Sequence, residues 1–159
     1  YIFTKTSLTL NVSVTNNDSK AFPFTLGWHP YFVSDNLDKS NLVFSSTKKL
    51  LLGDRNITTG VEETEDVAIL DLNGKRLDDC WFLDSNKVEF NTSKYKILLE
   101  STEENSFLQV YTPPKPNVIA IEPTTGVSDS FNNKIGLKVL NPFLNSVQVQ
   151  QCVLYLLYP

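Results

Sequence analysis

Methionine is absent from the 159 residues, histidine occurs once, cysteine twice, and the arginines are Arg55 and Arg76 alone. Each scarcity excludes something. One histidine, His29, rules out a multi-histidine metal site built within this chain. No run of about 18 apolar residues occurs, so no transmembrane helix and no membrane partner are expected. Tyr1-Ile2-Phe3-Thr4-Lys5 lacks the basic-then-apolar order of a signal peptide. The net charge is -4, without the basic stripe that nucleic-acid phosphates require, so no nucleic-acid partner is expected. There is no Gly-x-Ser-x-Gly elbow, phosphate-cradling glycine loop, dinucleotide fingerprint or spaced Asp/Asn calcium ladder. No cofactor and no metal are therefore expected. Cys80 and Cys152 read as two free buried thiols and do not fix the compartment, for which the cytoplasm is the expectation. The missing methionines fit either an internal piece of a longer protein or modified methionines left out of the sequence. Four Asn-x-Ser/Thr sequons, at Asn11, Asn17, Asn56 and Asn91, carry little weight in a chain this rich in Asn, Ser and Thr.

What is present is a folding composition. Hydrophobic residues make up 41% and charged residues 20%, the balance of a globular chain. The length suits one domain, residues 1–159, by the prior of about 100–200 residues per domain. The dominant period is two. Leu8, Leu10, Val12 and Val14 alternate with Thr9, Asn11 and Ser13, which predicts a half-buried strand ended by Asn16-Asn17-Asp18-Ser19. Phe22 to Phe32, broken by Pro23, Gly27 and Pro30, reads as an irregular strand or edge. Residues 87–100 read as a hairpin with Val88 and Phe90 facing Tyr95, Ile97 and Leu99. Further strands are expected over 106–112, 137–140 and 147–157. Asn117 to Ile121 is apolar on both faces, as in a central strand. The one helical candidate is Gly60 to Ile69, where acidic residues precede Val67, Ala68 and Ile69. The expectation is an all-β sandwich or extended sheet pair.

Three places carry polar groups suited to chemistry. His29 lies in Gly27-Trp28-His29-Pro30-Tyr31-Phe32, where Gly and Pro make the backbone irregular and the aromatics offer a wall for the C–H face of a sugar. The plainer account is a histidine packed among aromatics. Glu122 ends the apolar run Val118-Ile119-Ala120-Ile121. It is either a strand-end carboxylate turned to water or a base whose proton affinity rises in a partly dry pocket. Asp78 and Asp79 precede Cys80, Trp81 and Phe82. They either accept hydrogen bonds from sugar hydroxyls or form an Asx turn before a strand.

His29-Pro30-Tyr31-Phe32 resembles the histidine motif of the aldose 1-epimerases, or galactose mutarotases. Asp78-Asp79-Cys80-Trp81 resembles that family's sugar-binding motif. Leu108-Gln109-Val110-Tyr111-Thr112 resembles the strand before its catalytic glutamate. Ile121-Glu122-Pro123, followed by Ser128-Asp129-Ser130-Phe131-Asn132, resembles the glutamate strand and its trailing segment. The four agree in order over residues about 8 to 157. The resemblance implies a galactose mutarotase-like β-supersandwich that is incomplete in this chain, which matches the C-terminal half of the fold. The family's sugar-binding arginine and second histidine have no counterpart, so only part of a site is expected.

The resemblance also implies a reaction and roles. The protein would act as an isomerase on a free hexose, with Glu122 as base, His29 as acid and Asp78 holding substrate hydroxyls. Trp28, Tyr31 and Trp81 would supply aromatic contacts. His29, Asp78 and Glu122 are then expected on one pocket, acid and base atoms roughly 5–8 Å apart with adjacent sugar atoms between them. Two other readings compete. A hexose-6-phosphate 1-epimerase needs a cationic phosphate site. A non-catalytic carbohydrate-binding module needs no convergence of His29 with Glu122.

Overall fold

The structure is a computed structural model that describes residues 1–102 and 106–156; the side chains of 147–152 and 154–156 lie outside that description. Alternating side chains set the strands. The first half of the chain forms β1 (Ile2–Phe3), β2 (Ser7–Thr15), β3 (Phe22–Phe24), β4 (Tyr31–Val33), β5 (Asn41–Val43), β6 (Lys48–Leu52), β7 (Thr58–Glu63) and β8 (Ile69–Asp71). The second half forms β9 (Asp78–Phe82), β10 (Lys87–Asn91), β11 (Tyr95–Ser101), β12 (Phe107–Tyr111), β13 (Val118–Thr124), β14 (Lys138–Leu140) and β15 (Asn145–Leu156). A single helical turn, α1 (Ser130–Asn133), and two 3-10 turns are the only helical pieces among the described residues. The protein is all-β.

Two antiparallel sheets make the body. One runs β1-β2-β15-β11-β10-β5-β8 and the other β4-β13-β12-β9-β6-β7, while β14 pairs with β3 apart from both. The expected hairpin is β10–β11, in register Val88↔Leu99 and Phe90↔Ile97. The strand predicted over Asn117–Ile121 is β13, buried from Val118 to Pro123 between β4 and β12. Gly60–Ile69 is not helical. Thr58, Thr59 and Val61 are β-branched and stiff, and Leu50 of β6 lies directly across from Val61, so this segment begins as β7. Leu8, Leu10, Val12 and Val14 lie along one side of β2, each half-buried, opposite exposed Asn11, Ser13 and Thr15.

The main core lies between the sheets. Leu42, Phe90 and Leu99 from the first meet Trp81, Leu108, Val110, Ile119 and Ile121 from the second. A smaller cluster of Leu50, Cys80, Phe107 and Val127 covers the outer face of the second sheet. This sheet is therefore packed on both sides. Its outer face is roofed by the segment after β13, where Gly136, at φ +70°, comes so close that a Cβ would sit 2.4 Å from the Thr125 carbonyl. No helix among the described residues is long and apolar enough to cross a membrane.

Candidate active site

The site is written by strand register. Gln109 of β12 lies opposite Glu122 of β13 on one side and Cys80 of β9 on the other. Tyr111 lies opposite Asp78 and Ala120. Directly opposed residues share a face, and alternate residues along a strand share one too. Asp78, Cys80, Gln109, Tyr111, Glu122 and Thr124 therefore all stand on the outer face of the second sheet. With His29, Asn56 and the Gly126–Ser128 loop they line a cavity of about 450 Å³, within the range of ligand sites.

Glu122 is the buried charge of this cavity, with 11% of its side chain exposed, and its Oε1 lies 3.1 Å from Nε2 of His29. The imidazole, half-exposed, stands within ion-pairing distance of the carboxylate. Burial raises the pKa of Glu122 above the ordinary carboxylate value; His29 pulls it back, and the like charge of Asp78 adds to the rise. The two side chains are closer than the expected 5–8 Å, and a poorly hydrated carboxylate gains from a polar neighbour at this distance. Asp78 opens β9 and is held at both oxygens: Gln109 Nε2 donates to Oδ1 at 2.8 Å and Asn56 Nδ2 to Oδ2 at 2.6 Å. Cys80, free and buried on the cavity floor, has its thiol pushed up to about 12 by burial, with Glu122 and Asp79 adding to the rise. It stays protonated at neutral pH.

The structure brings His29, Asp78 and Glu122 together, and it keeps Trp28 and Trp81 out of their cavity. Trp81 sits three residues beyond Asp78. On a strand an odd spacing reverses the face, so Trp81 points into the core, where its ring meets Phe44 at 5.5 Å. Asp79 likewise turns away and pairs with Lys49 at 2.6 Å. Trp28, adjacent to His29, packs against the core and lines a separate apolar concavity with Leu8, Pro30, Phe32 and Ile97. Tyr31 is exposed, its ring 4.8 Å from that of His29, and it lines the concavity of Trp28 and not the cavity of Glu122. The aromatic residue lining the cavity is Tyr111. Gln109, Tyr111 and Asn56 were missed as site residues. The first two carried a signal, since both are polar-tipped positions alternating with apolar Leu108 and Val110. Asn56 carried none, because only the folded chain brings its loop to β9. Cys152 belongs to the residues whose side chains are not described.

The sequence matches the aldose 1-epimerase family over residues 1–143. No curated protein matches it. Among solved structures it is similar to a galactose mutarotase-like protein from Lactobacillus casei, at 25% identity and a TM-score of 0.82, over 98% of this chain and 61% of that one. A galactose mutarotase-like protein from Clostridium acetobutylicum shares the fold at 17% identity and a TM-score of 0.77, over 94% of this chain and 52% of that one. Galactose 1-epimerase from Lactobacillus acidophilus shares it at 11% identity and a TM-score of 0.65, over 99% of this chain and 65% of that one. The chain thus spans between 52% and 65% of the length of these structures. Match and fold together show that the chain belongs to the aldose 1-epimerase family.

Proposed function

We propose that the protein interconverts the α and β anomers of a free hexose by acid–base ring opening. One observation carries this reading: a buried, proton-avid Glu122 touches His29 across a cavity that also presents Asp78. In the cycle, Glu122 takes the proton of the C1 hydroxyl as the C1–O5 bond breaks, and Nε2–H of His29 delivers a proton to O5. The open-chain aldehyde rotates about C1–C2. Reclosure returns the O5 proton to His29 and the Glu122 proton to O1. Atoms and charge balance without any further reagent. The sugar enters between the two groups: the imidazole N–H donates to O5, and the carboxylate accepts from the C1 hydroxyl. Asp78 holds hydroxyls away from the reacting carbon, and Tyr111, which lines the cavity, supplies apolar contact.

No Lys or Arg lines the cavity among the described residues, which favours a free sugar over a hexose phosphate. The test is polarimetry with freshly dissolved α-glucose and α-galactose. The complete protein is expected to speed the decay of rotation, and His29→Asn in it to slow that by about 10²–10⁴, the usual weight of a general acid or base. Decay at the uncatalysed rate with sugar still bound would assign a carbohydrate-binding role instead.

A further inference from the structure

Asn56 sits far from the site in sequence and next to it in space. It ends the 3-10 turn Asp54–Asn56 between β6 and β7, and both Arg55 and Asn56 adopt φ +57°. That left-handed conformation suits Asn but is uncommon for Arg. The turn keeps it because other bonds fix it. Ser128, on the loop after β13, donates its hydroxyl to the Asn56 carbonyl and accepts from the Thr58 amide at 3.0 Å. Asn133 Nδ2 in turn donates to the Ser128 carbonyl at 2.9 Å. The loop following the glutamate strand thus latches the turn that carries Asn56, and Asn56 Nδ2 reaches Asp78 at 2.6 Å.

We propose that Asn56 is a positioning residue that sets sugar specificity by holding Asp78 in a single orientation. The proposal rests on the sugar-binding reading of the site. An ionised carboxylate offers about four lone-pair positions on its two oxygens. Asn56 occupies one on Oδ2 and Gln109 one on Oδ1. One position remains on each oxygen, and these two point in directions fixed by the amide donors. Such a carboxylate suits a sugar that presents two neighbouring free hydroxyls, one per oxygen. Without Asn56 only Gln109 holds the carboxylate, on one oxygen, so it can swing further about its Cβ–Cγ bond and the penalty on hydroxyls in other arrangements falls.

The experiment compares wild type with Asn56→Gly and Asn56→Asp, both of which tolerate a positive φ. Glycine removes the donor; aspartate keeps the size but turns an acceptor toward Asp78. Glucose and its 2-, 3- and 4-monodeoxy analogues are followed by polarimetry for kcat and KM, and by titration calorimetry for Kd. Wild type is expected to lose roughly tenfold in kcat/KM or affinity with one or two of the analogues. In Asn56→Gly that discrimination should shrink several-fold, with KM and Kd for glucose raised roughly tenfold and kcat within about twofold. Asn56→Asp should bind glucose more weakly still, with a Tm like that of wild type. Discrimination and affinity unchanged in both variants would overturn the proposal, as would a uniform loss for all sugars that follows a lowered Tm. If wild type neither binds nor turns over any of the four sugars, the underlying sugar-site reading fails, and that failure is seen without any variant.

Discussion

Glu122 holds a carboxyl where water is scarce, and this sets both its chemistry and its cost to the fold. Its proton affinity lies above the ordinary carboxylate value because of burial, against the pull of His29. The base must be ionised to act, so kcat/KM should rise with pH along an acid limb centred above that ordinary value; a limb at or below it would count against Glu122 as the base. Glu122→Gln keeps the shape and removes the base. It is expected to lower turnover by about 10²–10⁴ while leaving calorimetric sugar affinity within a few-fold. The stability effect has the opposite sense. The folded chain holds the Glu122 proton more tightly than the unfolded chain does, so the unfolded chain releases it first as pH rises. Wild-type stability should therefore fall across the window from the ordinary carboxylate value up to the raised one. Glu122→Gln has no such titration. Urea unfolding should show the variant gaining on wild type as pH climbs through that window, and a gain that shrinks with rising pH would contradict the assignment.

At the scale of the element, period two explains both what the sequence disclosed and what it hid. The long strands were legible because their apolar residues alternate over many positions, as in β2, or are continuous, as in β13. β5, β6 and β8 were not. They have three, five and three residues, and no proline pair beside them marks their ends, as Pro113-Pro114 closes the equally short β12. β7 was misread because an acidic cluster mimics a helix start when its cross-strand partner is unknown. The same rule decides the site. Glu122, His29 and Asp78 were legible as isolated polar groups beside apolar or aromatic runs. Trp81 was assigned to the sugar because it is near Asp78 in sequence, although a three-residue step on a strand crosses the sheet. Its role can be measured. Trp81 is 4% exposed, beneath Phe44 and with Lys49 Nζ 5.3 Å from its ring. Trp81→Ala should cost about 3–5 kcal/mol in denaturant unfolding, as a cavity in a packed core does. Trp81→Phe should cost much less and leave sugar affinity near wild type. A weakened sugar Kd in the Phe variant at unchanged stability would return the ring to the site.

At the scale of the molecule, the two sheets pack over a continuous core yet do not close on one another, and their margins are apolar. β1 ends the first sheet and β4 the second. Phe3 of β1 is 73% exposed and Val33 of β4 is 63% exposed. Between β2 and β4 lies the concavity of Leu8, Trp28, Pro30, Phe32 and Ile97, about 320 Å³. The Leu and Val side of β2, which continues from it, is only half covered. Open strand edges present unpaired N–H and C=O groups, and beside exposed apolar side chains they invite pairing with another strand. The net charge of -4 over 159 residues is a weak repulsion against this. The 159-residue chain is therefore expected to associate with itself as its concentration rises through the micromolar range, where exposed edges are known to be prone to it. Sedimentation velocity over a dilution series reads this directly. Lysine at an edge is the usual device against strand pairing, so Phe3→Lys combined with Val33→Lys should shift the population toward monomer. Neither position lines the cavity of Glu122, so Kd for sugar should stay within about twofold of wild type. A chain that sediments as a monomer throughout the series, or a double variant that associates as wild type does, would show that these margins are protected and that the half-covered face of β2 is stable in water.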